Sequence, residues 1–185
     1  MNKIERFNKS AGKASNKSAE IVEKIALKEG DKVLEIGVGG GYYAKLFSVL
    51  IGKNGIYYGV DTDDEFLDNL KLINQKSEHK NIKAMKVSET DCPEPFSKVN
   101  LIFTRNVYHH LSNRSEYFKK LSDFLEDNGK LVIIDYNESL CLMRLFGHFT
   151  KSGIVIKEMQ KAGYKLKTEH NLLKGQCFLV FEKAK

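Results

Sequence analysis

Apolar residues recur along the chain in two patterns that predict alternating strands and helices. Short apolar runs predict buried strands, and longer runs with an apolar residue at every third or fourth position predict amphipathic helices. The predicted strands are 32–36, 55–60, 82–87, 99–104, 131–135, 164–169 and 177–182. The predicted helices are 18–27, 41–51, 64–76, 113–126 and 151–162. This alternation predicts a parallel sheet with helices on both of its faces.

The pattern changes near the C-terminus. The last two predicted strands are joined by a short loop at Lys174-Gly175, so they must be antiparallel. We therefore expect an α/β fold: a three-layer αβα sandwich with a mostly parallel seven-stranded sheet and a C-terminal antiparallel hairpin. Residues 1–16 carry one large aromatic side chain, Phe7, and are expected to be a flexible segment ahead of a single domain at 17–185.

The first predicted strand runs directly into a glycine-rich turn. Residues 33–36 are followed by Gly37, Gly39, Gly40 and Gly41, and then by the start of a helix. Glycines let a ligand approach the backbone, and a helix N-terminus offers free N–H groups, so this arrangement predicts a nucleotide-type cradle. Taken alone, the loop also allows a second interpretation, a tight turn that binds nothing.

Two residues favour one type of cradle over another. A dinucleotide loop, G-x-G-x-x-G, needs a third glycine where this chain has Tyr42, and Glu35 would repel a diphosphate but attract an ammonium group. Glu35, Gly37, Gly39 and Gly41 resemble motif I of the class I S-adenosylmethionine-dependent methyltransferases, (D/E)-x-G-x-G-x-G. The resemblance implies S-adenosylmethionine as cofactor, with Glu35 facing its methionine end, often through water.

The second predicted strand is followed by an acid. Asp61 lies 20 positions after Gly41, close to the spacing of an acid that binds ribose hydroxyls. The other interpretation is a helix N-cap, because acidic residues crowd the following turn. We predict that Asp61 binds the cofactor, that Thr62 lies beside it in the site, and that Thr62 or Asp63 caps the helix.

The end of the third predicted strand should contact adenine in this family. Relatives commonly carry Gly-Asp-Ala there, whereas this chain has Ser88-Glu89-Thr90-Asp91. We assign Glu89 to the acid's role, with Ser88 and Thr90 beside it. Asp91 is the alternative, and its other interpretation is a loop residue.

The segment after the fourth predicted strand, Arg105 to Leu111, resembles the family's Leu-His-His-Leu. The resemblance implies that Arg105 and Asn106 contact the cofactor. Tyr108 and His109 are the candidates for a catalytic role, although no catalytic residue is assigned. The other interpretation packs one histidine beneath the loop and leaves the other at the pocket rim. No metal is expected, since adjacent histidines rarely converge on one ion without acidic or cysteine partners.

An apolar segment at 137–149 follows the fifth predicted strand, where relatives insert structure that covers the substrate. It could equally be an ordinary amphipathic helix of the core. We expect it to border the acceptor pocket together with Tyr108, His109 and Tyr136.

Composition restricts the partners. The net charge is +6, but lysines alternate with acids and no block of five or six like charges occurs, so a nucleic-acid substrate is possible but not favoured. Three widely spaced cysteines without a C-x-x-C motif suit a reducing compartment. We find neither an apolar run long enough for a membrane nor a signal peptide in 1–20, and expect a cytoplasmic protein.

These observations predict methyl transfer from S-adenosylmethionine to an unidentified small-molecule acceptor. Thr104-Arg105-Asn106-Val107 stands where an Asn-Pro-Pro-Tyr-type motif would indicate methylation of an adenine or glutamine amino group. Two alternatives remain: an oxidoreductase that uses an NAD-type dinucleotide, and a binding module that holds S-adenosylmethionine without catalysis. The sequence leaves the oligomeric state open.

Overall fold

The computed structural model describes residues 1–88, 91–95, 97–137 and 149–184. Its helices are α1 (Lys3–Ala11), α2 (Ser18–Ile25), α3 (Tyr42–Ile51), α4 (Asp64–Lys76), α5 (Arg114–Ser122) and α6 (Ser152–Lys161). Its strands are β1 (Lys32–Ile36), β2 (Ile56–Asp61), β3 (Ile82–Lys86), β4 (Val99–Arg105), β5 (Leu125–Tyr136), β6 (Tyr164–Glu169) and β7 (Gln176–Lys183). Short 3-10 turns lie at Ala14–Asn16 and Tyr108–His110.

The strands form one seven-stranded mixed sheet in the order β3-β2-β1-β4-β5-β7-β6. This confirms the predicted α/β sheet with its antiparallel end. The chain divides into two compact units, Met1–Ser88 and Glu89–Lys185. The expectation of one domain at 17–185 stays a prediction. Within the described ranges, no helix combines the length and the apolar character needed to cross a bilayer.

The first unit holds three parallel strands, with β2 between β1 and β3. The residues after Lys32 in β1 and those between Ile56 and Asp61 in β2 are buried, which explains why both strands are largely apolar rather than alternating, with Glu35 as the acid inside β1. In the β1–β2 register Glu35 lies opposite Gly59. Helix α4 begins at an Asp63 cap, whose side chain accepts a hydrogen bond from the Glu65 N–H at 2.9 Å.

The N-terminal segment contains a helix, α1, where the sequence predicted none. Asn2 and Glu5 form a capping box: the Asn2 side chain accepts from the Glu5 N–H, and the Glu5 carboxylate accepts from the Asn2 N–H. No residue of α1 is buried. Its polar composition explains why no helix was predicted here. The capping box nevertheless marks where the helix starts.

The second unit pairs β4 with β5 in parallel and β7 antiparallel to both β5 and β6. Strand β5 begins earlier than predicted, at Leu125, because this residue pairs with Val99. Residues 127–130, whose Asp-Asn-Gly sequence is typical of a turn, lie inside β5 at a register shift, since the next pair is Leu101 with Lys130. This sequence therefore produces an irregularity in the β4–β5 register rather than a strand boundary.

Candidate functional site

The glycine loop of the first unit lies between β1 and α3. Gly37, Gly39 and Gly41 all have positive φ, at 78°, 49° and 76°. At Gly41, which caps α3, a Cβ would lie 2.5 Å from the Cδ1 atom of Ile73. The loop therefore needs glycine at this position both for its backbone conformation and for packing of α4 against it.

Asp61 ends β2 and contacts this loop. Its Oδ2 atom accepts a hydrogen bond from the Gly39 N–H at 3.1 Å, and its Oδ1 atom accepts from the Asp63 N–H at 3.2 Å. Burial raises the pKa of Asp61 above its ordinary value of 3.8, against the opposing effect of these backbone hydrogen bonds. The glycine loop and Asp61, both singled out by the sequence, are thus joined by a hydrogen bond.

Glu35 is 4% exposed and lies on β1 immediately before the loop. The Tyr57 hydroxyl donates a hydrogen bond to its Oε2 atom at 2.5 Å. Burial, followed by the neighbouring Glu35 charge, raises the pKa of Tyr57 well above its ordinary value, so the phenol stays protonated and donates. Tyr57, the partner of Glu35, was not among the residues predicted from the sequence.

The other predicted cofactor residues of the first unit lie after strand ends. Thr62 is exposed beside Asp61, and the cap of α4 is Asp63 rather than Thr62. Ser88 is exposed after β3. Glu89 and Thr90 lie outside the described residues, so their assignment to adenine stays a prediction.

Helix α1 packs directly against the glycine loop. A Cβ built at Gly39 would lie 3.1 Å from the Phe7 ring, and one at Gly40 would lie 2.6 Å from Asn8 Oδ1. Phe7 also makes an edge-to-face contact with Phe66 of α4, with ring centroids 5.0 Å apart. The outer side of the loop is therefore covered by the N-terminal helix.

Lys3 attaches the start of α1 to α4. Its ammonium group donates to the Asp63 carboxylate and lies 4.4 Å from the centroid of the Phe66 ring. The hydrogen bond is the main cause of the raised pKa of Lys3 and of the lowered pKa of Asp63. The start and the middle of α1 are thus linked to α4, close to the acid of β2.

In the second unit, Arg105 is the last residue of β4, and Asn106 comes directly after it. Arg105 donates to the Gln176 side-chain oxygen at 3.4 Å, and the Gln176 amide donates to Asn106. Asn106 has a positive φ of 58°. The structure therefore brings both side chains to β7, and their contact with the cofactor stays a prediction.

His109 pairs with a buried acid that the sequence analysis did not single out. Its Nδ1 atom lies 2.7 Å from Asp135 Oδ1, and its backbone N–H donates to Asp135 Oδ2 at 2.9 Å. The two side chains are 5% and 0% exposed. Asp135 lies near the end of β5, one position before Tyr136, whose N–H also donates to it. The sequence signal for Asp135 as a site residue was its position as an acid at the end of a predicted strand.

Tyr108 has a different environment. Its hydroxyl donates to Glu158, which also accepts two hydrogen bonds from the Arg114 guanidinium. The guanidinium carbon lies 4.9 Å from the centroid of the Tyr108 ring. Burial, followed by the bond to Glu158, raises the pKa of Tyr108 far above its ordinary value. This arrangement disfavours Tyr108 as a proton acceptor and leaves His109 as the candidate.

The predicted border of the acceptor pocket is described only in part. The Tyr136 ring lies edge-on to His109, with centroids 6.0 Å apart. His110, whose ring lies 4.0 Å from that of His109, is exposed. Residues 138–148 of the apolar segment lie outside the described residues.

The chemistry of the donor set fits S-adenosylmethionine better than a dinucleotide. Glu35 suits an ammonium group and opposes a diphosphate, whereas Asp61 suits a ribose diol, which both kinds of cofactor carry. Asp61 keeps part of its surface exposed. That Glu35, Asp61 and the glycine loop hold the cofactor stays a prediction.

Curated relatives carry methyltransferase names. The chain is 33% identical to a protein-L-isoaspartate O-methyltransferase of Fervidobacterium nodosum over 74% of this chain and 64% of that protein. It is 30% identical to the enzyme of the same name from Methanococcus aeolicus over 76% of this chain and 61% of that protein. The chain thus spans about three fifths of the length of these relatives.

Solved structures share the fold. A SAM-dependent methyltransferase from Aquifex aeolicus matches 99% of this chain and 97% of its own, with a TM-score of 0.84 and 23% identity. A TehB-like SAM-dependent methyltransferase from Corynebacterium glutamicum gives a TM-score of 0.72, with 18% identity over 96% and 93% of the two chains. The family described as "Methyltransferase domain" matches residues 10–173. The chain belongs to this methyltransferase domain family and has the Rossmann-like fold of the class I S-adenosylmethionine-dependent methyltransferases.

Proposed function

We propose that this protein transfers the methyl group of S-adenosylmethionine to a small-molecule acceptor that must lose a proton on methylation. The cofactor, when bound, supplies a methyl group on a positively charged sulfur. Its holders in the first unit are the glycine loop, Glu35 and Asp61. The observation that supports an acceptor with a proton to lose is the buried His109–Asp135 pair.

The pair has the arrangement of an oriented general base. A carboxylate 2.7 Å from Nδ1 favours the tautomer with the proton on that nitrogen, which puts the lone pair of the neutral ring on Nε2. The Asp135 carboxylate also accepts the His109 and Tyr136 N–H groups, which fixes its orientation. His109 Nε2 then accepts the proton that a hydroxyl or amine acceptor loses as it attacks the methyl group.

Methylation of a protein isoaspartyl carboxylate is the second candidate, and the names of the curated relatives favour it. A carboxylate is already ionised at neutral pH, so it needs no base. The second candidate therefore leaves the His109–Asp135 pair without a chemical role in transfer. The two candidates differ in whether His109 contributes to the rate.

The deciding experiment supplies S-adenosylmethionine with a labelled methyl group to the protein. The acceptors are a small-metabolite extract, an isoaspartyl peptide, and total RNA and DNA as further arms. We expect label in the small-molecule fraction, and its loss in a His109→Ala variant. Label in the peptide that His109→Ala does not change would favour the second candidate. Binding of S-adenosylhomocysteine without any transfer would support a non-catalytic module.

A further inference from the structure

In the first unit, Tyr57 forms a hydrogen bond with Glu35, the acid predicted to face the cofactor. Tyr57 lies well after the glycine loop in sequence. Tyr57 is fully buried on β2, and its hydroxyl lies 2.5 Å from Glu35 Oε2. Distances of this size between a hydroxyl and a carboxylate oxygen are typical of charge-assisted hydrogen bonds. Such a bond stabilises the charge on a carboxylate that is only 4% exposed.

A glycine makes this contact possible. In the register of the two strands, Glu35 lies opposite Gly59, and Tyr57 lies opposite Val33. Tyr57 must therefore lean along the strand, across the position of Gly59, to reach Glu35. A Cβ at Gly59 would lie 2.8 Å from the Tyr57 Cε1 atom, 2.7 Å from Val38 Cγ1 and 2.5 Å from Leu70 Cδ2. The absent side chain thus leaves the space that the ring occupies.

We infer that Tyr57 is a positioning residue that holds Glu35 as an oriented carboxylate for the ammonium group of the cofactor's methionine part, and that Gly59 makes room for it. The inference rests on the proposed cofactor role of Glu35. It extends that proposal by assigning recognition of the amino-acid end to a buried pair rather than to one side chain. Tyr57 acts through Glu35 and needs no contact with the cofactor.

Two ligands separate this role from a merely structural one. S-adenosylhomocysteine carries the amino-acid part, and 5′-methylthioadenosine lacks it while keeping the adenosine. Tyr57→Phe removes only the hydroxyl. We expect the Kd for S-adenosylhomocysteine to rise about tenfold, as for the loss of a hydrogen bond to a charged group, and the Kd for 5′-methylthioadenosine to stay within about twofold. Titration calorimetry measures both.

Tyr58→Phe is the matched control. Tyr58 is the next residue of β2 and is 1% exposed, but successive side chains of a strand point to opposite faces of the sheet. Loss of its hydroxyl should leave both Kd values unchanged. Gly59→Ala is a second variant that retains both the tyrosine and the glutamate. Because its methyl group crowds the ring as well as Val38 of the loop, it should weaken S-adenosylhomocysteine more than 5′-methylthioadenosine, should Tyr57→Phe fail to fold.

The outcomes are distinct. Equal weakening of both ligands in Tyr57→Phe, or no weakening of either, would overturn the positioning role. A wild-type protein that binds neither ligand would overturn the proposed function and this inference together. A wild-type protein that binds S-adenosylhomocysteine selectively through Tyr57 but transfers no methyl group would contradict the proposed function alone.

Discussion

Two buried carboxylates, one in each unit of the chain, receive hydrogen bonds from donors of different chemistry. Glu35 accepts from the Tyr57 phenol at 2.5 Å, and Asp135 faces the His109 ring nitrogen at 2.7 Å. Burial raises the pKa of Tyr57 well above its ordinary value, so this donor keeps its proton. Imidazole is the side chain that gains and loses protons near neutrality. The first pair therefore suits binding of a cation, and the second suits transfer of a proton.

The largest expected effect tests the second pair. His109→Ala should lower the rate of methyl transfer to the small-molecule acceptor by roughly 10²- to 10⁴-fold, the usual contribution of a general base. The Kd for S-adenosylhomocysteine should not change. His110→Ala, the exposed neighbour, is the matched control. A rate that survives His109→Ala would remove the functional difference between the two pairs.

Next in size is the effect of neutralising the first pair. Glu35→Gln keeps the shape and a carbonyl oxygen for Tyr57 but removes the charge. We expect the Kd for S-adenosylhomocysteine to rise by about 10- to 100-fold, because a hydrogen bond to a charged partner is lost. Glu29→Gln, at an exposed glutamate, controls for the change in net charge. Unchanged affinity on calorimetry would exclude Glu35 from the cofactor site.

A third carboxylate, Asp61, sharpens the comparison because its donors are backbone N–H groups. Its pKa is raised by burial, and protonation removes the charge that strengthens its hydrogen bonds from the ribose hydroxyls. Affinity for S-adenosylhomocysteine should therefore fall as the pH falls, starting above the ordinary value of 3.8. Calorimetry across pH measures this fall. An Asp61→Asn variant that retains the same pH dependence would assign it to another group.

The smallest expected effect concerns α1. Phe7 is 43% exposed, and Phe7→Ala removes its edge-to-face contact with Phe66. We expect a loss of about 0.5–1.5 kcal/mol in the free energy of unfolding, seen as a Tm lower by a few degrees. Lys9→Ala, on the same helix, should leave the Tm nearly unchanged. A larger loss for Lys9→Ala would mean that α1 is held by its charge rather than by Phe7.

The sequence predicted the parts of the molecule that depend on local patterns. Strand β1 lies at its predicted bounds because its residues are largely apolar and a glycine turn follows. Helix α4 lies at its predicted bounds because the Asp63 cap marks its start. The early start of β5 was missed because pairing with Val99 overrides the turn chemistry at 127–130. Helix α1 was missed because its mostly polar residues give no clear apolar pattern. The capping box of Asn2 and Glu5 was the signal that marks its start.

The candidate site shows the same division. Glu35, Gly39 and Asp61 were predicted from motif and spacing, and the structure joins Gly39 to Asp61 by a hydrogen bond. The partners of the two buried acids were not found. Contact between Tyr57 and Glu35 depends on strand register and on the empty space at Gly59, which neither residue's own segment reveals.

The weak burial of α1 has a consequence for the dynamics of the glycine loop. None of the nine residues of the helix is buried, whereas β1 beneath the loop is almost entirely buried. Segments with few buried contacts open at a small fraction of the free energy of global unfolding. The amides of α1 should thus exchange with solvent through local opening, while those of β1 wait for the whole unit to unfold. Gly39 and Gly40 would be uncovered each time the helix opens, with the sheet still intact.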